Sequence, residues 1–425
     1  YRGCIPSKAL LHVARLLREA SEAGALGIHF EQPRVDLDRL RAWKARVVGK
    51  LTGGLGVLCK AKGVRFVRGR GVFMDSRTLR IDGEEPVDSC ELKFDHAIVA
   101  TGSRPATLPF GCESPRVMTS TGALDLADIP ESLLVIGGGY IGLELGSVYA
   151  ALGTRVTVVE MTDALLQGVD GDLARVLVRA LEGRFESIRT KTRVERLAEE
   201  RDSIVVELAG DEARSTERFA SVLVAVGRRP NSSGLGLRNT GVEIDESGFI
   251  QVDGARRTAE PRIYAIGDVA GQPRLAHKAT HEGTTAADAI AGGPAAVAPA
   301  AIPAVVFTDP EIAWCGLTEA DARTAGVDVA VARFPWQASG RAATLGDAAG
   351  LTKLVLDRET ERVLGAGIVG PGAGELIAEA VLAVEMGAVA EDLAATIHPH
   401  PTLSETVMEA AEVFRGLSVH LHRKR

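Results

Sequence analysis

Between positions 7 and 23 the apolar residues Leu10, Leu11, Ala14, Leu17 and Ala20 recur at the spacing of a helix with one buried face, and Gly24 closes the run. Cys4 stands at the head of that helix. A second helical stretch is expected from Leu37 to Leu58, interrupted by Gly53, Gly54 and Gly56. Short strands follow in VRFVRGRGVFM and TLRIDG, and FDHAIVATGSRP reads as an apolar strand running into a Gly-Ser turn. From Ser132 the pattern becomes strand, glycine turn, helix, strand, which is a βαβ unit. A β-rich stretch leads to SVLVAVGRRPN, RIYAIGDVAG predicts another buried strand ending in Gly-Asp, and a helix is expected over 277–291. The tract AGGPAAVAPAAIPA reads as a Pro/Ala linker, beyond which strands alternate with helices as in an α+β domain.

Composition adds little to this picture except exclusions. A chain of 425 residues that is 46% apolar and 25% charged can bury several cores, which predicts two to four domains. The 49 basic and 56 acidic residues give a net charge of −7, with no basic run long enough for a nucleic-acid footprint. No apolar stretch reaches the roughly 18–20 uncharged residues of a membrane span, so a soluble protein is expected. Five scattered cysteines, Cys4, Cys59, Cys90, Cys112 and Cys315, argue against a disulfide scaffold or a zinc site, so no metal is expected. A reducing, cytoplasmic location is the matching expectation.

The strongest local signal is LLVIGGGYIGLELGSVYAALGTRVTVVE. Gly137, Gly139 and Gly142 form G-x-G-x-x-G after an apolar strand and at the mouth of a helix, with Gly138, Tyr140 and Ile141 between them. Gly153 ends that helix, and Glu160 ends the next strand, eighteen residues after Gly142. The glycines suit a tight turn, close approach of backbone to a pyrophosphate, and close packing of helix on strand. A carboxylate at Glu160 suits a ribose 2′-hydroxyl and repels a 2′-phosphate, so NAD is preferred over NADP. A glycine-rich packing turn, the alternative, does not call for that acid.

ATGSRP and TAEPRIYAIGDVAG need a second explanation, the latter placing Thr258 before an apolar strand that ends in Gly267-Asp268. An Asp at the C-terminal end of a parallel strand can hydrogen-bond the hydroxyls of a ligand there, and can equally cap the helix that follows. In these phrases the chain resembles the flavoprotein disulfide reductases. Within that family it resembles the dihydrolipoyl dehydrogenases almost from end to end, through GCIPSKALL, ATGSRP, GGGYIGLELGSVY, AVGRRPN, YAIGDV, LAHKATHEG, FTDPEIAWCGLTE, FPWQASGRA and HPHPTLSE. The resemblance implies an α/β fold with two Rossmann-like dinucleotide-binding domains, for FAD and NAD, and a C-terminal α+β dimerisation domain. The expected boundaries are 1–119 for the FAD domain, 120–252 for the NAD domain, 253–300 for the return to the FAD and central domain, and 301–425 for dimerisation. It also implies FAD contacts at Lys8, Gly71, Thr101, Gly102, Ser103, Glu144, Asp268, Ala276 and His277, and adds Val194 and Gly227 to the NAD site.

Cys4 faces the positive end of its helix, which favours a thiolate, although a cysteine at such a place is more often a packing residue. The resemblance makes Cys4 the second, flavin-facing cysteine of a C-x4-C-x3-K motif and pairs Lys8 with Glu144. The first cysteine of that motif, and the family's FAD pyrophosphate turn, would lie before Tyr1, so the chain reads as a fragment cut inside its redox motif and inactive in that form. Cys59, Cys90, Cys112 and Cys315 match no catalytic position and are expected to be structural. In TIHPHPTLSE a histidine can shuttle a proton when a partner fixes its tautomer, while His-Pro pairs by themselves usually mark a turn. The resemblance assigns the base to His400, oriented by Glu405, with His398 in support, and has this loop reach the disulfide of the other subunit of a homodimer. The implied reaction is oxidation of protein-bound dihydrolipoamide by NAD+. The implied partners are the lipoyl domain of the E2 component of 2-oxo acid dehydrogenase complexes and a peripheral binding site on E2. The alternatives are a glutathione- or mercuric-type reductase of the same family and a non-catalytic dinucleotide-binding or dimerisation fragment.

Overall fold

The structure is a computed structural model that describes residues 1–421 apart from 32, 84–88, 212, 295–297 and 347–348. The centre of the expected Pro/Ala linker, 295–297, thus lies outside the described residues. The chain forms two compact units, one made of Tyr1–Leu51, Thr107–Val226 and Ala300–Arg425, the other of Thr52–Ala106 and Gly227–Pro299.

The first unit holds a parallel sheet in the order Val117–Thr119, Ser221–Val224, Ser132–Ile136, Arg155–Val159, Ser187–Arg189. Its central strands are apolar on both faces, with Leu133, Leu134, Val135, Val156, Val158, Val222 and Leu223 fully buried, as a parallel sheet covered on both sides requires. The helix Tyr140–Ala151 connects two of these strands and packs Leu143, Leu145, Val148 and Tyr149 into one cluster with Leu10 and Ala14 of the helix Cys4–Glu22. The Cys4 helix is therefore anchored along the helix that starts at the glycine turn.

In the same unit, five antiparallel strands run in the order Ala304–Val306, Glu311–Gly316, Val363–Gly370, Leu351–Asp357, Val329–Pro335. The helices Ala373–Met386 and Glu405–Arg415 contribute Ile377, Ala380, Val407 and Ala410 to its core. Trp336 is fully buried there, donates from Nε1 to Thr352 Oγ1 at 2.9 Å, and leaves so little room that a Cβ on Gly350 would lie 2.3 Å from its ring.

A buried charge cluster fastens the helix Gly171–Glu182 to this sheet. Lys353 is 1% exposed, and its Nζ lies 2.7 Å from Asp170, 2.8 Å from Asp172 and 2.6 Å from Glu319. Arg333 pairs with Asp172 at 2.7 Å and also meets Glu319. Burial pushes the Asp172 carboxyl up, but hydrogen bonds and charge from Lys353 and Arg333 outweigh it and hold the group below its ordinary value.

The second unit contains the antiparallel meander Gly69–Phe73, Thr78–Gly83, Cys90–Lys93, the parallel pair Ala97–Val99 and Ile263–Ala265, and the antiparallel pair Ser103–Pro105 and Arg228–Pro230. Phe73, Val99, Leu237, Ile250, Ile263 and Ala265 form its core. Thr258 is buried and donates to Ile263 O at 2.8 Å, tying the entry of that strand to its first residue.

Three expected boundaries move. The first helix begins at Cys4, and Gly24 does not close it, because a 3-10 turn Ala23–Leu26 follows and Gly27, at φ 80°, makes the reversal. The second helix runs unbroken over Leu37–Ala61. Gly53, Gly54 and Gly56 face open space, so each weakens the helix by only about 1 kcal/mol against Ala and leaves the backbone ladder intact. The run VRFVRGRGVFM is a strand only over Gly69–Phe73, for Val64 and Phe66 are 57% and 82% exposed and its alternation marks no buried face. Among the described residues no helix is long and apolar enough to cross a membrane.

Replacing Lys353 by Ala leaves three carboxylates facing one arginine, and is expected to destabilise this unit by about 3–5 kcal/mol. Thermal unfolding with and without the substitution measures it. The Asp172 contribution is fully present above its unfolded value of about 4 and is lost as pH falls through its lower folded value. The difference between wild type and Lys353→Ala therefore shrinks on strong acidification.

Candidate active site

Cys4 is the first residue of its helix and is exposed. One turn further, Lys8 Nζ donates to Glu144 Oε2 at 2.7 Å and lies 4.4 Å from the centroid of the Phe307 ring. Glu144 is 4% exposed, and its other oxygen accepts the Phe307 N–H at 2.9 Å. A carboxylate so buried is stable because both its oxygens are engaged, one of them by a charge. The helix N-terminus that presents Cys4 is thereby fixed from below.

The glycine turn lies in the same unit. Gly137 has φ 108°, and a Cβ there would stand 2.5 Å from Ala225 O, so only glycine fits. A Cβ on Gly142 would stand 2.3 Å from Gly137 O, which explains how the helix closes on the strand, while Gly139 faces open space where a ligand can meet the backbone. Glu160 follows the strand Arg155–Val159, takes the Gly138 N–H on Oε2 at 2.7 Å, and takes the Thr162 N–H and hydroxyl on Oε1 at 2.9 and 2.8 Å. The open backbone at Gly139 and the fixed carboxylate at the strand end fit a dinucleotide with a free ribose hydroxyl. Tyr140 and Ile141 open the helix, whereas Val194 is 8% exposed and packed in the core of the neighbouring sheet.

At the C-terminal end of this unit, His400 Nδ1 is 2.9 Å from Glu405 Oε1, and Glu405 Oε2 accepts the Thr402 N–H at 2.6 Å. Burial pushes the Glu405 carboxyl up, but the Thr402 N–H and His400 outweigh that and hold it below the ordinary carboxylate value. An ionised Glu405 fixes the Nδ1–H tautomer and leaves Nε2 as the free base on a side chain that is 74% exposed.

In the second unit, Ser103 Oγ donates to Asp268 Oδ2, and Arg228 reaches Ser103 Oγ and Ser103 O, both at 2.7 Å. Among the described residues no partner engages Asp268 Oδ1, so it can accept from a ligand hydroxyl, which fits the donor set of a polyol chain. Thr101 and Asn231 exchange two hydrogen bonds, at 2.8 and 3.0 Å, beside Gly102 at φ 70°. Ala276 and His277 open the helix Ala276–Ile290. Gly71 lies on the first strand of the meander, and Gly227, at φ 119°, precedes Arg228.

Several supporting residues escaped the sequence reading. Phe307 holds Glu144, Thr162 holds Glu160, and Arg228 holds Ser103. Glu282, 4% exposed, accepts the Gly267 N–H at 2.7 Å and fixes the turn that carries Asp268. Phe307, Arg228 and Glu282 stand inside phrases that carried the resemblance. A residue's place in a motif, however, does not reveal its tertiary partner, which lies 163 positions away for Phe307, 125 for Arg228 and 15 for Glu282.

Comparison with known proteins gives two family matches. Residues 1–283 match the pyridine nucleotide-disulphide oxidoreductase model and residues 302–411 match its dimerisation domain. The chain is 49% identical to a dihydrolipoyl dehydrogenase of Haemophilus influenzae over 97% of this chain and 86% of that protein. It is 48% identical to one of Haloferax volcanii, over 98% and 89% respectively. Among solved structures, LpdA from Mycobacterium tuberculosis superposes with a TM-score of 0.89 at 28% identity, covering 96% of this chain and 89% of that one. The HOCl-induced flavoprotein disulfide reductase RclA from Escherichia coli superposes with a TM-score of 0.85 at 27% identity, covering 97% and 90%.

Glu144→Ala removes the carboxylate from the Lys8 ammonium, which keeps only Ser7 Oγ at 3.2 Å, takes away the acceptor of the Phe307 N–H, and is expected to lower stability by about 3 kcal/mol. Glu144→Gln keeps one acceptor oxygen but turns its NH2 toward the other donor, so it is expected to lose less than Glu144→Ala while staying below wild type. Thermal or urea unfolding of the two variants checks the order.

Proposed function

The chain belongs to the pyridine nucleotide-disulphide oxidoreductase family, and we propose that within it the chain oxidises protein-bound dihydrolipoamide to lipoamide with NAD+. It is an oxidoreductase whose family uses FAD and NAD, and its dimerisation domain makes it a homodimer. The observation that carries the reading is His400, with Nδ1 held by an ionised Glu405 and Nε2 exposed.

The chain's own residues divide the work. His400 Nε2 accepts the proton of an incoming thiol, and Glu405 stabilises the imidazolium that results. Cys4 is the sulfur that carries the electron pair onward from its helix N-terminus. Lys8, kept in place by Glu144, supplies a positive charge beside the position we assign to the flavin ring. Ser103, Thr101, Gly102 and Asp268 are assigned to the flavin's polyol and ring edge, with Ala276 and His277 at the start of their helix and Gly71 as a backbone contact. Gly137 to Gly142 take the nicotinamide dinucleotide's pyrophosphate and Glu160 its adenosine ribose, with Val194 and Gly227 as neighbouring contacts. FAD, when bound, accepts an electron pair from a dithiol and passes hydride to NAD+.

The reading extends to the assembly. His400 acts on the disulfide of the other protomer, so neither subunit is active alone. Lipoyl domains of E2 bring the substrate, and the dimer docks at the periphery of a 2-oxo acid dehydrogenase complex. Exposed Leu382, Met386 and Ile397 on the dimerisation domain give both contacts an apolar surface to use. Five free thiols and no disulfide among the described residues support a cytoplasmic location. The domain division that goes with this function is 1–119 and 253–300 for FAD, 120–252 for NAD and 301–425 for dimerisation.

The direct assay offers dihydrolipoamide to the native protein with NAD+ or NADP+. NAD+ is expected to support turnover and NADP+ to be poor, while a preference for NADP+ contradicts the reading. Glu160→Ala is expected to cut the discrimination between the two by about tenfold, since the repulsive carboxylate is gone. His400→Gln is expected to lower kcat for dihydrolipoamide by about 100- to 10,000-fold. Electron transfer from NADH to ferricyanide, which needs no thiol proton, should continue in that variant.

A further inference from the structure

The loop that carries His400 is anchored at two points. Thr396, Ile397, Pro399, His400 and Pro401 are all exposed, Ile397 at 95%. The His398 ring turns the other way, with its side chain 5% exposed. Its Nδ1 lies 2.9 Å from Thr396 O, and its Nε2 lies 2.7 Å from Glu379 Oε1 on the helix Ala373–Met386. That helix is itself fixed in the core through Ile377, Ala380, Ala383 and Val384. On the far side of His400, Glu405 holds both the Thr402 N–H and His400 Nδ1.

We infer that His398 and Glu379 are positioning residues for His400. A carbonyl and a carboxylate can only accept, so both His398 contacts are hydrogen bonds at once only when both ring nitrogens carry protons. In that form the ring spans from its own backbone to a rigid helix, and the two-residue step to His400 inherits a fixed starting point. Without it, the base hangs from an exposed loop tethered at Glu405 alone. The charged groups around the clamp are Glu379 from its helix, and Glu405 and His400 from the loop and the helix Glu405–Arg415, with both histidines bearing on the Glu405 carboxyl. Neither His398 nor Glu379 touches the thiol. They act through the position of His400 Nε2, where a displacement of about an ångström is enough to cost up to 100-fold in rate.

This inference rests on His400 being the base, and the test separates the two. His398→Leu and Glu379→Ala are assayed beside His400→Gln in the native protein, each for dihydrolipoamide oxidation and for NADH-to-ferricyanide transfer. His398→Leu and Glu379→Ala are expected to lower kcat for dihydrolipoamide by about 10- to 100-fold, with the KM for NAD+ and the ferricyanide rate unchanged. Glu379→Gln is expected to stay within about threefold of wild type, because its amide oxygen still accepts from Nε2 and its amide nitrogen can donate to a bare one. Full kcat in His398→Leu and Glu379→Ala, with His400→Gln inactive, overturns the clamp and leaves the base standing. Equal losses in both assays reduce the pair to a folding role and overturn it as well. Full kcat in His400→Gln overturns the reading of the base, and the clamp with it.

Discussion

The arrangement of the first unit depends on one buried carboxylate. Glu144 projects from the helix that starts at the glycine turn, pairs with Lys8 of the Cys4 helix, and takes the backbone N–H of Phe307 at the entrance to the C-terminal sheet. Burying an ionised carboxylate is unfavourable unless strong donors surround it, so the three segments must come together for any one of them to sit where it does. Apolar packing of Leu10 and Ala14 against Leu143 and Val148 brings the two helices close, but such contact is non-directional. The ion pair adds direction and sets which residue of the Cys4 helix faces which turn of its neighbour.

The same device recurs wherever this protein presents a functional group. Glu160 is held through both oxygens by Gly138 and Thr162, Asp268 through Oδ2 by Ser103, and His400 through Nδ1 by Glu405, leaving Asp268 Oδ1 and His400 Nε2 to meet a ligand. Fixing all but one of a group's hydrogen-bonding positions orients the remaining one before any ligand arrives, and the ordering cost has been met during folding. The buried Lys353 cluster fulfils the equivalent structural role between the helix Gly171–Glu182 and the antiparallel sheet. There Lys353 meets three carboxylates and Arg333 two of them.

Legibility in the sequence followed the range of the interaction. The strand, glycine turn, helix and acid from Ser132 to Glu160 are a local unit with a fixed period, and their spacing placed them correctly before any fold was known. Cys4 at a helix start was readable for the same reason. The glycines at 53, 54 and 56 misled because propensity is a weak term that a hydrogen-bonded ladder on an open face overrides. Phe307, Arg228, Glu282 and Glu379 were silent because their meaning lies in partners brought close only by tertiary packing. The His400 loop had no readable period, and only the family resemblance distinguished its two histidines. The geometry added the partner of the second ring, Glu379 on His398.

The central claim is that the Cys4 sulfur of one protomer works with His400 of the other. Mixed dimers test it most directly. Protomers carrying Cys4→Ala are combined with protomers carrying His400→Gln, each inactive as a homodimer, and dihydrolipoamide oxidation is measured after subunit exchange. Each heterodimer then contains one site with both groups intact, so activity should recover to about a quarter of wild type at full exchange. If the mixture stays as inactive as its parents while exchange is verified by mass, the two groups do not meet across the dimer, and the account fails.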